Sequence, residues 1–234
     1  SIAVFIGLAT ITFGTNLFYY TVGEPGMSHI YSFAVIAAFV FFSRKFFISN
    51  DKGLLPVLGF VLGFIALIRP VNLLVIAAIP FVAGSMDVLK NAVRSVWKNL
   101  AWSLSAIVLF TATVMVQLII YRISTEHWLV YSYAEEGFNF FDPQMLDMLF
   151  SYKKGLFLYT PVFLIMLASG IWAWRSDRFR SVSFLGFFLV VTYVLSSWWN
   201  WWYGGSFSSR VFIDFIPLIV LPFLVFLHKI HGNR

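Results

Sequence analysis

The stretch LLPVLGFVLGFIALIRPVNLLVIAAIPFVA, residues 54–83, decides how this chain is threaded. It holds two apolar runs, 54–68 and 71–83, separated by Arg69-Pro70-Val71-Asn72. A membrane-spanning helix needs about 20 apolar residues, each adding about 1.5 Å. Neither run reaches that length. They form either two short helices in a hairpin or one long helix kinked at Pro70. The choice fixes the side on which every later loop falls.

Charge makes the choice. With a hairpin, one side receives Arg44, Lys45, Lys52, Lys90, Arg94, Lys98, Arg175, Arg178, Arg180, Lys229 and Arg234, which is 11 of the 16 basic residues. The other side keeps Arg69, Arg122, Lys153, Lys154 and Arg210. With one long helix the bias disappears and Arg69 is left at mid-membrane depth. Basic residues concentrate on the cytoplasmic side, so the hairpin is expected. The Arg69–Asn72 tip, the 122–155 segment and the loop after residue 197 then face the non-cytoplasmic side.

The rest of the chain has the same character. Of its 234 residues, 60% are hydrophobic and 11% charged, which exceeds what a soluble domain of this size can bury. Further apolar runs lie at 1–20, 29–43, 99–121, 156–174, 182–199 and 211–227. The expected fold is therefore all-α: one polytopic helical membrane domain over 1–234, with about eight transmembrane segments. There is no Cys, which excludes disulfides and thiolate metal sites. The four His show no HExxH pattern, and no Walker A or Gly-rich nucleotide fingerprint is present. No basic patch with interleaved aromatics lies in a soluble region, so no nucleic-acid partner is expected. No metal site or cofactor is read from the residues, and the need for a divalent metal stays open.

The densest chemistry lies in Trp198-Trp199-Asn200-Trp201-Trp202-Tyr203-Gly204-Gly205-Ser206-Phe207-Ser208-Ser209-Arg210. Trp and Tyr favour the membrane–water boundary, where an apolar ring meets water through its N–H or O–H. Gly204 and Gly205 permit a tight turn or a close ligand approach. Arg210 opens the next helix, where the helix dipole opposes a cation. Asp214 at i+4 is expected to brace it. Trp202 and Tyr203 are expected to help wall the site.

Other candidates face the same side. Glu24 and His29 flank the turn Glu24-Pro25-Gly26-Met27-Ser28-His29, where the carboxylate suits a base and the imidazole a phosphate donor. Arg69 and Asn72 flank Pro70, and an Arg at a membrane boundary binds a lipid phosphate or snorkels. Lys153 and Lys154 oppose the positive-inside bias, which suits a phosphate or anionic headgroups. The 122–155 segment is longer than an ordinary connection, as binding loops are. Within it, Asp142-Pro143 predicts the cap and first residue of a short interfacial helix, with Met145, Leu146, Leu149 and Phe150 on one face.

Four stretches together resemble the integral-membrane glycosyltransferases of the GT-C fold, of the protein O-mannosyltransferase and aminoarabinose-transferase type. They are Gly26-Met27-Ser28-His29 with Tyr31-Ser32-Phe33, Arg69-Pro70-Val71-Asn72, Lys154-Gly155-Leu156-Phe157-Leu158-Tyr159-Thr160-Pro161, and Trp202-Tyr203-Gly204-Gly205-Ser206 through Arg210 to Pro217. The resemblance implies a sugar donor linked to polyprenyl phosphate. It also implies a lipid, glycan or protein acceptor on the non-cytoplasmic face, and an inverting transfer in the cell envelope, as at a bacterial inner membrane. The family's catalytic acid usually lies in an earlier outer loop, which nothing here matches. The chain is therefore expected to be a C-terminal portion whose general base lies upstream, with Glu24 as the carboxylate that remains. Ser208-Ser209 stands where such proteins more commonly carry Gly or Pro. A lipid-linked saccharide transporter, or a non-catalytic assembly subunit, are the alternatives; a transporter needs polar residues at mid-membrane depth, and the runs offer few.

Overall fold

The computed structural model describes residues 2–131, 133, 136–173 and 176–232. Arg175 and Arg234, counted above among the basic residues of one side, lie outside them. Among the described residues the chain is all-helical, with one isolated antiparallel bridge between Phe138 and Trp198. In chain order the α-helices are α1 (Ile2–Gly14), α2 (Leu17–Val22), α3 (Ser28–Ser49) and α4 (Leu54–Ile68). A 3-10 stretch, Pro70–Ala78, leads into α5 (Ile79–Ala83), α6 (Met86–Lys98) and α7 (Leu100–Thr125). Then come α8 (Met145–Phe150), α9 (Leu156–Tyr159), α10 (Val162–Trp172) and α11 (Arg178–Ser196). A second 3-10 stretch, Arg210–Phe215, precedes α12 (Ile216–Ile219) and α13 (Leu221–Gly232).

Three of these, α3, α7 and α11, are long and apolar enough to cross a membrane. A fourth span is reached if Arg210–Ile219 and Leu221–Ile230, bent by 45°, count as one. The other apolar runs are interrupted, each for a local reason. Run 1–20 breaks at Thr15-Asn16, where the Thr15 hydroxyl donates to Ile11 O (2.6 Å) and accepts from Leu17 N (3.2 Å). That hydroxyl offers the backbone an alternative to the helical ladder. Run 156–174 breaks at Thr160, held at φ −136° by Pro161, which disfavours helical geometry in its predecessor.

The chain forms two compact units, Ser1–Phe33 with Gly137–Arg234, and Ala34–Glu136. In the second, α4 lies against α7. A Cβ built on Gly59 would sit 2.2 Å from Ala106 O, and one on Gly63 would sit 2.7 Å from Thr113 Cβ. Both sequence positions advance together, so the two helices run parallel. The contact is a small-xxx-small seam, which lets helix backbones approach closely in a membrane. Two parallel helices in this order require the chain between them to return. The backbone turns at Arg69, extended at φ −155° and ψ 110°, and Pro70–Ala78 packs back on α4.

The returning segment is 3-10 for a covalent reason. Pro80 has no N–H to give Ile76 O, and Ile79 N–H takes that acceptor in an i→i−3 bond. At about 2.0 Å per residue the nine 3-10 residues cover about 18 Å. The five residues of α5 add about 7 Å, so the segment matches the roughly 22 Å of the 15-residue α4. Residues 84–98, the polar stretch between the apolar runs 71–83 and 99–121, hold α6, whose N-cap Ser85 Oγ accepts from Val88 N at 3.3 Å. Ala92 of α6 packs with Phe46, Leu54 and Leu55.

In the first unit, α13 packs on α1 and α10, and α11 packs on α10. Gly7 sits under Leu224, and Gly170 under Phe184. Phe163, Met166, Phe184, Phe187, Phe212 and Phe215 are fully buried in the core of this unit. The expected helix from Pro143 begins two residues later, at Met145, with Gln144 rather than Asp142 at the cap and no side-chain cap bond. Its buried residue is Met148, while Leu146 and Phe150 are exposed.

Candidate anion site at the Trp loop

The loop 197–209 is held from several directions. Residues 137–144 run along its first part: Asn139 N donates to Ser197 O (2.6 Å), Trp199 N to Gly137 O (3.0 Å) and Gln144 N to Ser196 O (3.1 Å). The Tyr203 hydroxyl donates to Leu195 O (2.8 Å), folding the loop back over the end of α11. Phe207 N donates to the Tyr20 hydroxyl at 2.9 Å. Ser208 Oγ and Thr160 Oγ1 share a hydrogen bond of 3.0 Å. Gly204 has φ +68°, which suits its lack of a Cβ. Gly205 is not at positive φ; the other left-handed residues are Tyr203 (+53°) and Ser208 (+55°). Ser208 thus occupies a conformation that Gly would adopt without strain.

Both lysines close on this loop. The Lys153 ammonium stands 3.1 Å from the centroid of the Trp202 ring and 5.9 Å from that of Trp201. That is a cation–π contact, so Lys153 orders the aromatic wall. Lys154 Nζ donates to Ser206 Oγ at 3.2 Å. Burial and the neighbouring Arg210 guanidinium push the Lys154 ammonium below its ordinary value, while Glu24 pulls it back up. Two cations and one carboxylate therefore share one partly buried locality.

Arg210 and Glu24 have spare hydrogen-bonding capacity there. One Arg210 terminal nitrogen lies 3.9 Å from Met27 Sδ, a weak contact. Arg210 Nε and Glu24 Oε2 are buried atoms with no hydrogen bond among the described residues; the Tyr19 hydroxyl serves the other oxygen, Glu24 Oε1, at 3.0 Å. Buried polar groups are normally satisfied, so unfilled donor and acceptor atoms beside clustered cations mark a place for a polar ligand.

The expected brace of Arg210 by Asp214 is corrected. Arg210–Phe215 is a 3-10 helix, in which i and i+3 eclipse and i+4 points about a third of a turn away. Asp214, fully buried, meets His29 instead, with Nδ1 2.8 Å from Oδ1. The His29 ring packs edge-on to Tyr20 at 6.2 Å. The pair joins the start of α3 to the last apolar segment and supports Met27, two residues before His29.

Arg69 and Asn72 lie in the second unit. Arg69 is the extended residue at the hairpin break, and Asn72, fully buried, donates its N–H to Arg69 O at 2.9 Å. Sequence reasoning missed Tyr19 and Tyr20, and quoted Met27 and Thr160 without giving either a role in the site. The available signal was Tyr19-Tyr20, two boundary-seeking aromatics at the end of an apolar run just before Glu24. Among the described residues no group of three His, Asp or Glu gathers as metal ligands would.

No known protein family, curated protein or solved structure matches this chain. The long apolar helices are compatible with an integral membrane protein, and the cationic, aromatic-walled loop gives it a candidate anion site.

Proposed function

We propose that the chain is part of a GT-C-type membrane glycosyltransferase that uses a sugar linked to polyprenyl phosphate. The observation that carries this reading is the cluster of Lys154, Arg210 and Glu24 beside the Lys153–Trp202 contact. A glycosyl phosphate needs cations for its phosphate, aromatic faces for its sugar and a carboxylate for the acceptor proton. In the transfer, the acceptor oxygen bonds to the anomeric carbon from the face opposite the phosphate. The bond from that carbon to the phosphate oxygen breaks, and its electron pair leaves on the phosphate. Lys154 and Arg210 stabilise the growing charge; the acceptor's proton passes to a carboxylate, for which Glu24 Oε2 is the candidate among the described residues.

The membrane reading extends to eight segments, with the Trp loop on the non-cytoplasmic face. The parallel α4–α7 pair and the returning Pro70–Ala83 segment support the hairpin, and the 11-to-5 division of basic residues supports the sidedness.

The test is intrinsic Trp fluorescence of the purified protein, titrated with a short-chain polyprenyl phosphate and with the matching polyprenol. Wild type responds to the phosphate and not to the alcohol. A charge-assisted hydrogen bond contributes about 1.5–3 kcal/mol, so Arg210→Gln binds about tenfold or more weakly. Arg210→Lys falls between, because it keeps charge without the planar fork. A folded Arg210→Gln protein with wild-type affinity overturns the reading.

A further inference from the structure

The amphipathic helix α6 carries three distinct faces. Ala92 and Ser95 are buried, with Ala92 in the cluster of Phe46, Leu54 and Leu55. Met86, Val93 and Trp97 fall together on a second face at i, i+7 and i+11, and all three are exposed, Trp97 by 71%. Lys90, Arg94 and Lys98 follow at i, i+4 and i+8 on a third face, also exposed, with Asp87 beside them. The helix is built to persist: Ser85 caps it, Asp87 lies in its first turn and Lys98 in its last, matching the helix dipole. Asn99 alone separates it from α7, a helix of spanning length. The end of α6 is therefore held at the membrane boundary from which α7 departs.

We propose that α6 lies in the plane of that leaflet as a docking surface for anionic phospholipid. Met86, Val93 and Trp97 enter the boundary between headgroups and acyl chains. Lys90, Arg94 and Lys98 meet the headgroup phosphates. Apolar side chains flanked by a basic stripe are the composition that binds helices to charged bilayers. The continuity with α7 and the charge complementarity favour a lipid surface over a soluble acidic partner. This inference rests on the membrane reading and is independent of any sugar chemistry.

Two measurements on the whole protein test it. Because the chain has no Cys, Val93→Cys and Asn91→Cys each carry one environment-sensitive fluorophore. In phosphatidylglycerol nanodiscs the probe at 93 reports an apolar setting and the probe at 91 an aqueous one. An aqueous signal at both positions overturns the proposal. The second measurement is the relative association of phosphatidylglycerol over phosphatidylcholine with wild type and with the Lys90→Gln, Arg94→Gln, Lys98→Gln triple variant. Each cation near an anionic surface favours it by about fivefold. With screening allowed for, the triple variant loses roughly tenfold or more of the preference. A Lys90→Arg, Arg94→Lys, Lys98→Arg variant retains it and controls for folding. An unchanged preference in the Gln variant, or displacement of the lipid by free glycerol phosphate, refutes a membrane-docking surface.

Discussion

Replacing Gly59 by Ala tests the seam that decides the threading of the second unit. The added methyl would lie 2.2 Å from Ala106 O, 2.7 Å from its carbonyl carbon and 2.8 Å from its Cα. All three atoms are backbone, so no rotamer change relieves the contact. To regain ordinary separation, α4 and α7 must part by roughly 1 Å. A gap of that size forfeits about a quarter to a half of each dispersion contact along the seam, and overpacking of this kind costs typically about 1–3 kcal/mol. The helix preference of Ala over Gly returns at most about 1 kcal/mol. With that offset in full the balance is a loss of up to about 2 kcal/mol. Gly186→Ala is the matched control: it lies in α11, and nothing stands within 4 Å of its added methyl. That substitution is neutral or slightly stabilising. Gly63→Ala is intermediate, since its close neighbours are Thr113 side-chain atoms at 2.7 and 3.1 Å, with Phe110 O at 3.2 Å. Reversible unfolding in mixed detergent, followed by circular dichroism, ranks the three. Equal stability of Gly59→Ala and Gly186→Ala would refute the parallel close packing, and with it the structural argument for the hairpin.

Three further outcomes follow from the Trp loop. Tyr20→Phe removes the acceptor of the Phe207 N–H (2.9 Å) and strands that donor, a loss of about 1–3 kcal/mol read as a lower melting temperature. Ser208→Gly relieves a left-handed residue by about 1 kcal/mol but gives up the bond to Thr160, so it is near neutral. Ser208→Ala keeps the strain, loses the bond and melts lower. Lys154 has a folded pKa below its ordinary 10.5, so its charged form is disfavoured by folding. The unfolded chain then holds the proton over the window between the two values, and stability rises with pH through it. Phosphate binding favours the charged form, so affinity falls as pH rises through the lowered pKa, earlier than an unperturbed lysine would give; titrations across alkaline pH, with Lys154→Arg as the pH-insensitive comparison, measure it.

The sequence by itself determined the class. The alternation of apolar runs with charged loops, and the break at Arg69-Pro70, are properties of local composition and covalent geometry, and both are visible in the folded chain. It also marked Arg210 and Lys154 as cations on the side where basic residues are scarce, and Glu24 as a candidate carboxylate on that side. Other features depended on partners distant in sequence. Asp214 was assigned to Arg210 on the assumption of an α-helix, and a 3-10 turn gave it to His29, 185 positions away. Lys153 was read as suited to a phosphate or anionic headgroups; that its ammonium also rests on Trp202 was not legible, because the ring face that receives it is set by the fold of the Trp loop. Residues 84–98 fall between the apolar runs because their mean character is polar; the arrangement of three faces appears only when Ala92 finds a core to pack against. Gly59 and Gly63 are two ordinary apolar-run residues until Ala106 and Thr113 arrive against them. Local chemistry fixes which segments leave water, whereas the contacts that orient a side chain or press two backbones together come from chain segments that only tertiary packing brings near.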